Sequence, residues 1–126
     1  MGNMGSSLHE ALHTILAMEG VRAVALIDVA SGMVVRSAGE QDPGFPAAAA
    51  SVADEARAAR EALGPRQPAG ELDEIAVVTD SRLHLAKILE GQSGEGFVLF
   101  VDMDRARANV ALASLQVGQL APAVLA

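Results

Sequence analysis

The sequence contains no cysteine, no tryptophan and no tyrosine. Without cysteine there are no disulfides, no thiolate metal ligands and no thiol nucleophile, which fits a reducing cytosol. Three phenylalanines are the whole aromatic complement, too few for a surface that stacks nucleic-acid bases. Lysine is scarce as well: Lys87 is alone beside eight arginines, and the formal net charge is −7. Binding a phosphate backbone needs clustered lysine and arginine, so nucleic acid is not an expected partner. Long apolar runs are missing. The nearest, Val21 to Ala30, holds Arg22 and Asp28 and is too short to span a bilayer. The head lacks the basic-then-apolar order of a secretion signal. Met1 to Ser6 fits the loose N-myristoylation pattern but reads more simply as a frayed start.

What the chain has in plenty is alanine, 25 of 126 residues. The hydrophobic fraction of 51% therefore overstates the large side chains, and helices that pack closely through small residues are the natural use of it. The length fits one domain able to bury a core without metal or disulfide. Residues 1–7 read as a flexible N-terminal segment, 8–122 as a single domain and 123–126 as the C-terminal end.

Helical spacing of Leu8, Ala11, Leu12, Ile15 and Leu16 predicts a first helix from Leu8 to Met18. Ser6 or Ser7 is placed to cap it, with Glu10 completing a capping box, and Gly20 to end it. Val21 to Val29 predicts a strand with apolar residues on both faces, hence helices on both sides of the sheet. The turn Ala30-Ser31-Gly32 leads to a second strand, Met33 to Ser37. Glu40 to Pro46 reads as a loop, and Ala47 to Leu63 as a second helix ended by Gly64-Pro65, with Pro68 and Gly70 extending the break. Three strands follow: Leu72 to Thr79, Leu83 to Leu89 and Gly96 to Val101. Their short connections predict an antiparallel meander. Asp102 or Asp104 is placed to cap a third helix, striped by Ala106, Val110, Ala113, Val117 and Leu120. Leu112 and Leu115 fall on its opposite face, either as a further contact or as scattered surface leucines. The expected fold is thus α+β: a five-stranded antiparallel sheet with helices on both faces, in the order α-β-β-α-β-β-β-α.

This order resembles the roadblock (dynein light chain seven) domain family, especially its small bacterial members. The resemblance runs from Leu8 to about Leu120. Its landmarks are the helix ending at Gly20-Val21, the strand Val24-Ala25-Leu26-Ile27-Asp28, the turn with Gly32, Met33-Val34-Val35 and the alanine-rich helix. The strands Leu83-His84-Leu85 and Phe97-Val98-Leu99-Phe100-Val101 complete them. Family members often carry an acidic residue and glycine in the first hairpin turn, where Ser31-Gly32 stands here. The resemblance implies a roadblock/profilin-like three-layer domain with no catalytic residues and no cofactor. It also implies a homodimer formed through the second helix and third strand. That interface would take in Ala49, Val52, Ala53, Ala56, Ala59 and Leu63 on the helix, with Ile75 and Val77 on the strand. A monomer whose alanine-rich helix simply covers the sheet is the plainer alternative.

By the same resemblance the partner is a Ras-like small GTPase, bound and regulated in the cytoplasm, its GTP hydrolysis stimulated in one version. A scaffold or adaptor for a sensor-kinase or motor complex, without GTPase regulation, is the alternative. Arg57, Arg60, Leu112 and Leu115 are the candidates for partner binding. Arg60 has the chemistry of a finger, though both arginines also suit ordinary pairing with acids along the helix.

One rival signal is enzymatic. His9-Glu10-Ala11-Leu12-His13 matches the H-E-x-x-H pattern, in which two histidines one turn apart hold zinc and the glutamate acts as base. No strand precedes it, Thr14 to Gly20 lacks the metzincin continuation, and spacing indicates no third ligand beyond Glu19 or His84. The histidines therefore read as boundary residues of the helix, with adventitious zinc binding ahead of a zinc hydrolase. Gly91, Gly94 and Gly96 lack the lysine and hydroxyl of a phosphate loop, because Phe97 and Val98 follow. They read as a hairpin loop, and His84 as a partly buried packing residue.

Overall fold

The computed structural model describes residues 4–63, 72–90 and 96–125, residues 4–6 by their backbone alone. The helix-breaking residues Gly64, Pro65, Pro68 and Gly70, the loop glycines Gly91 and Gly94, and the start of the myristoylation pattern lie outside the described residues. The elements are α1 (Met4–Leu16), β1 (Val21–Asp28), β2 (Val34–Gly39), α2 (Phe45–Leu63), β3 (Glu74–Val78), β4 (Arg82–Glu90), β5 (Gly96–Asp104) and α3 (Val110–Val124). The five strands form one antiparallel sheet in the order β2-β1-β5-β4-β3, so β2 and β3 are its edges.

Alternation along the strands divides the core in two. Val24 and Leu26 of β1, Leu83 and Leu85 of β4, and Leu99, Val101 and Met103 of β5 face α1 and α3. Ala23, Ala25 and Ile27 of β1, Ala86 of β4, and Val98 and Phe100 of β5 face α2. Because side chains repeat every two residues, one sequence supplies both faces and both must be covered. Val21 departs from the pattern and packs with the α1/α3 side. The register of β1 on β5 shifts between Val21 and Ala23, and the extra residue turns Val21 over.

Several element ends differ from expectation. α1 begins at Met4, so Ser7 and Glu10 lie inside it and form no capping box, and residues 4–7 are helical. Its apolar stripe is as read, with Leu8, Ala11, Leu12 and Ile15 buried. Gly20 ends the turn after it with φ 88°, and a Cβ there would stand 3.0 Å from the Ala108 nitrogen. α2 starts at Phe45 rather than Ala47. Proline is tolerated in a first turn, so Pro46 is no obstacle, and buried Phe45 packs against Phe100 with ring centroids 6.0 Å apart. β5 continues through Asp102 to Asp104, so neither aspartate caps α3. Asn109 does, accepting a hydrogen bond from the Leu112 nitrogen. Ala106 consequently lies outside α3, where Ala113, Val117, Ala121 and Val124 are the buried residues.

Candidate functional site

α2 covers the middle of its side of the sheet and leaves the β3 margin open. The result is a groove walled on one side by Ala48, Ser51, Val52 and Glu55 of α2. The other wall and the floor come from Ile75 and Val77 of β3, His84 and Ala86 of β4, and Phe100 of β5. β3 pairs only with β4 among the described strands, so its outer backbone groups have no strand partner. Val77, on the groove side, is 41% exposed. An apolar groove beside an unpaired edge is a surface suited to adding a further strand and helix.

The residues expected to form a dimer interface divide between two environments. Ala49, Ala53 and Ala56 are fully buried, and Val52 nearly so, all packed on the chain's own sheet. The alanine stripe is therefore already covered within one chain, and its Cβ atoms are not free to meet a second helix. The physical reason lies across the contact: Ala23 and Ala25 of β1 are also small, and α2 settles closely onto them. Ala59 and Ile75 are half-buried, while Val77 and Leu63 are exposed. What α2 presents beside the groove is its flank, Ala48, Ser51 and Glu55.

Arg57 and Arg60 are both engaged within the chain. The Arg57 guanidinium donates to the Val29 carbonyl at 2.6 Å and pairs with Asp54 one turn earlier. Arg60 pairs with Glu90 of β4 at 2.7 Å, across elements rather than along the helix. Leu112 and Leu115 are 50% and 59% exposed on α3, on the other side of the sheet from the groove. α3 itself carries no charged residue, and Leu112 borders Glu19 and Arg107 at the start of the helix.

Beneath the groove lies a cluster that the sequence reading missed. Asp102 is 8% exposed and is the only buried charged residue among those described. One Arg82 nitrogen lies 3.0 and 2.8 Å from its two oxygens, and His84 Nε2 lies 3.1 Å from Oδ1. An ionised carboxylate can only accept, so Nε2 carries the hydrogen. Burial acts to raise the Asp102 carboxyl, but the hydrogen bonds from His84 and Arg82 and their charge outweigh it. The net effect holds it below its ordinary value of 3.8. The His84 ring also meets Phe100 edge-on at 5.1 Å. With both oxygens occupied, Asp102 works as a clamp that fixes His84 as part of the groove floor. The signal was available: alternation carried past Val101 puts Asp102 on the Phe100 face, opposite His84 in register.

The H-E-x-x-H histidines, His9 and His13, lie side by side on exposed positions of α1 with ring centroids 4.3 Å apart. Among the described residues no further histidine, aspartate or glutamate joins them in a group of three suited to a metal ion. No described helix is long and apolar enough to cross a membrane.

No protein-family model matches the chain, and no curated protein matches it. Solved structures do. The chain matches the Roadblock/LC7 domain from Streptomyces avermitilis with a TM-score of 0.74 at 18% identity, over 91% of this chain and 92% of that one. It matches the gliding protein MglB from Thermus thermophilus with a TM-score of 0.80 at 21% identity, over 99% and 90%. An MglB with a tetrameric arrangement gives 0.79 at 22% identity, over 99% and 90%. These likenesses establish the architecture: the chain has the roadblock fold, with its structural neighbours among bacterial roadblock-domain proteins.

Proposed function

We propose that this chain is a non-enzymatic platform that pairs with a second copy of itself and regulates a Ras-like small GTPase in the cytoplasm. The observation that carries the reading is the open groove beside β3, an unpaired strand edge flanked by a helix on a roadblock fold. Two copies meeting edge to edge would satisfy the outer backbone groups of β3 and cover Val77 in one step. A neighbour of the same fold, MglB, has a tetrameric arrangement, which supports association between copies as a use of this architecture.

In this reading the GTPase owns the nucleotide site and the catalytic water. The platform shifts the switch regions by binding one conformation more tightly than the other. The engagement of Arg57 with Val29 and Asp54, and of Arg60 with Glu90, favours that mode over an arginine finger, because α2 holds both guanidinium groups against its own chain. Leu112 and Leu115 on the opposite side provide a second contact surface for a partner. The same tied-back arginines are compatible with a scaffold for a sensor-kinase or motor complex that leaves hydrolysis alone.

The deciding experiment is a pull-down of cytosolic proteins on the purified chain, once with GDP and once with a non-hydrolysable GTP analogue. A Ras-like protein retained in one nucleotide state is the expected result. Equal retention in both states, or retention of another class of protein only, would replace regulation with the scaffold reading.

A further inference from the structure

His9 and His13 take no part in the groove or in the Asp102 cluster. The apolar stripe of α1, Leu8, Ala11, Leu12 and Ile15, is buried against the sheet, and the two histidines face solvent beside it. Four residues apart on a helix, their side chains project over the same turn. Their rings stand 4.3 Å apart, centroid to centroid, and tilted by 48°. This i, i+4 placement on one helix is the arrangement by which paired histidines hold a metal.

We propose that His9 and His13 form a two-imidazole chelate for a late first-row divalent cation of the zinc type on the solvent face of α1. Imidazole nitrogen is the ligand such ions favour, and a chain of net charge −7 raises their local concentration. Two protein ligands leave at least two positions of a tetrahedral ion to water or to a donor from another molecule. The site is therefore open and exchangeable, unlike a closed structural zinc. It lies across the sheet from the α2 and β3 groove, so it operates independently of the platform surface. Binding staples one turn of α1 and stabilises the folded chain by mass action.

The test is a calorimetric titration of the full, untagged chain with Zn2+ alone at neutral pH. His9→Ala, His13→Ala and His84→Ala are run in parallel, with thermal melts of each. The expected result is one equivalent of Zn2+ per chain with a rise in melting temperature. Both effects should be lost in His9→Ala and in His13→Ala and kept in His84→Ala. Both histidines are exposed, so the variants should fold; His13→Gln, which keeps the helix-forming chain length, replaces any that does not. Absence of a saturable step in the wild type, or a step that survives His13→Ala or His13→Gln, overturns the proposal.

Discussion

At the scale of single residues, Asp102 has the most at stake. It is buried between strands, and it is compensated by partners that are themselves only partly covered: the Arg82 and His84 side chains are 30% and 31% exposed. Removing the carboxylate charge leaves both side chains able to reach water, which limits the damage. Asp102→Asn keeps the shape and an acceptor oxygen and loses the charge-assisted bonds, at an expected cost of about 1–3 kcal/mol at neutral pH. The dependence on pH has a definite sign. Because the folded state holds the carboxyl below its value of 3.8 in the unfolded chain, the stabilisation is complete above that value. It is lost as pH falls through the lower, folded value, where the native carboxyl takes up its proton. Urea unfolding of both proteins at about pH 7 and about pH 3 checks this, since the other carboxylates titrate alike in each. The gap between them should narrow in acid. An equal gap at both values would mean that packing, not charge, is what the substitution disturbs.

The elements show which sequence signals carry one meaning and which carry two. Strand alternation carries one. Val24 and Leu26 against Ala25 and Ile27 announces a sheet covered on both faces, and that is the arrangement found. The ends of helices were less legible. Aspartate after a strand serves equally as a helix cap or as the strand's last inward residue, and the core kept Asp102 while Asn109 took the cap. The alanines of α2 were ambiguous for a similar reason. Small side chains permit close approach to anything, whether a second helix or a sheet, and the helix sequence alone does not say which. The missing information stood in β1, where Ala23 and Ala25 make the sheet equally flat beneath α2. A consequence separates the two meanings. Ala56 is fully buried, so Ala56→Glu forces a carboxylate into a packed layer with no partner and should cost more than about 3 kcal/mol. Circular dichroism with urea titration should show a largely unfolded or severely weakened chain. A well-folded monomer would instead assign Ala56 to an interface between copies.

For the whole molecule, the proposed pairing raises the question of how two chains of the same negative charge would come together. Self-repulsion opposes association, so the contact belongs where charge is sparse and backbone bonds are unmet. The β3 margin meets both conditions: its groove is lined mostly by apolar side chains, with Ser51 and His84 and with Glu55 as the one acidic group, and its edge is open. An isologous contact there is self-limiting, because each chain uses the same edge and both are consumed. In such a pair the other edge, β2, would end the combined sheet on each side, with Arg36 and the left-handed Gly39 at its margin. At Gly39 a Cβ would lie 2.3 Å from the Arg22 carbonyl, so the tight β1–β2 ladder requires glycine there. Val77 lies where both conditions meet. It is 41% exposed in one chain and faces the groove from the edge strand β3, so Val77→Lys should leave the fold within about 0.5 kcal/mol of the wild type. The same lysine would be buried and unpaired at the centre of an edge-to-edge dimer. Sedimentation should therefore show a dimer for the wild type and a monomer for Val77→Lys, with matching urea midpoints measured at low protein concentration. A wild-type monomer would remove pairing altogether. A Val77→Lys protein that remains dimeric would move the contact across the sheet, to the exposed leucines Leu112 and Leu115 of α3.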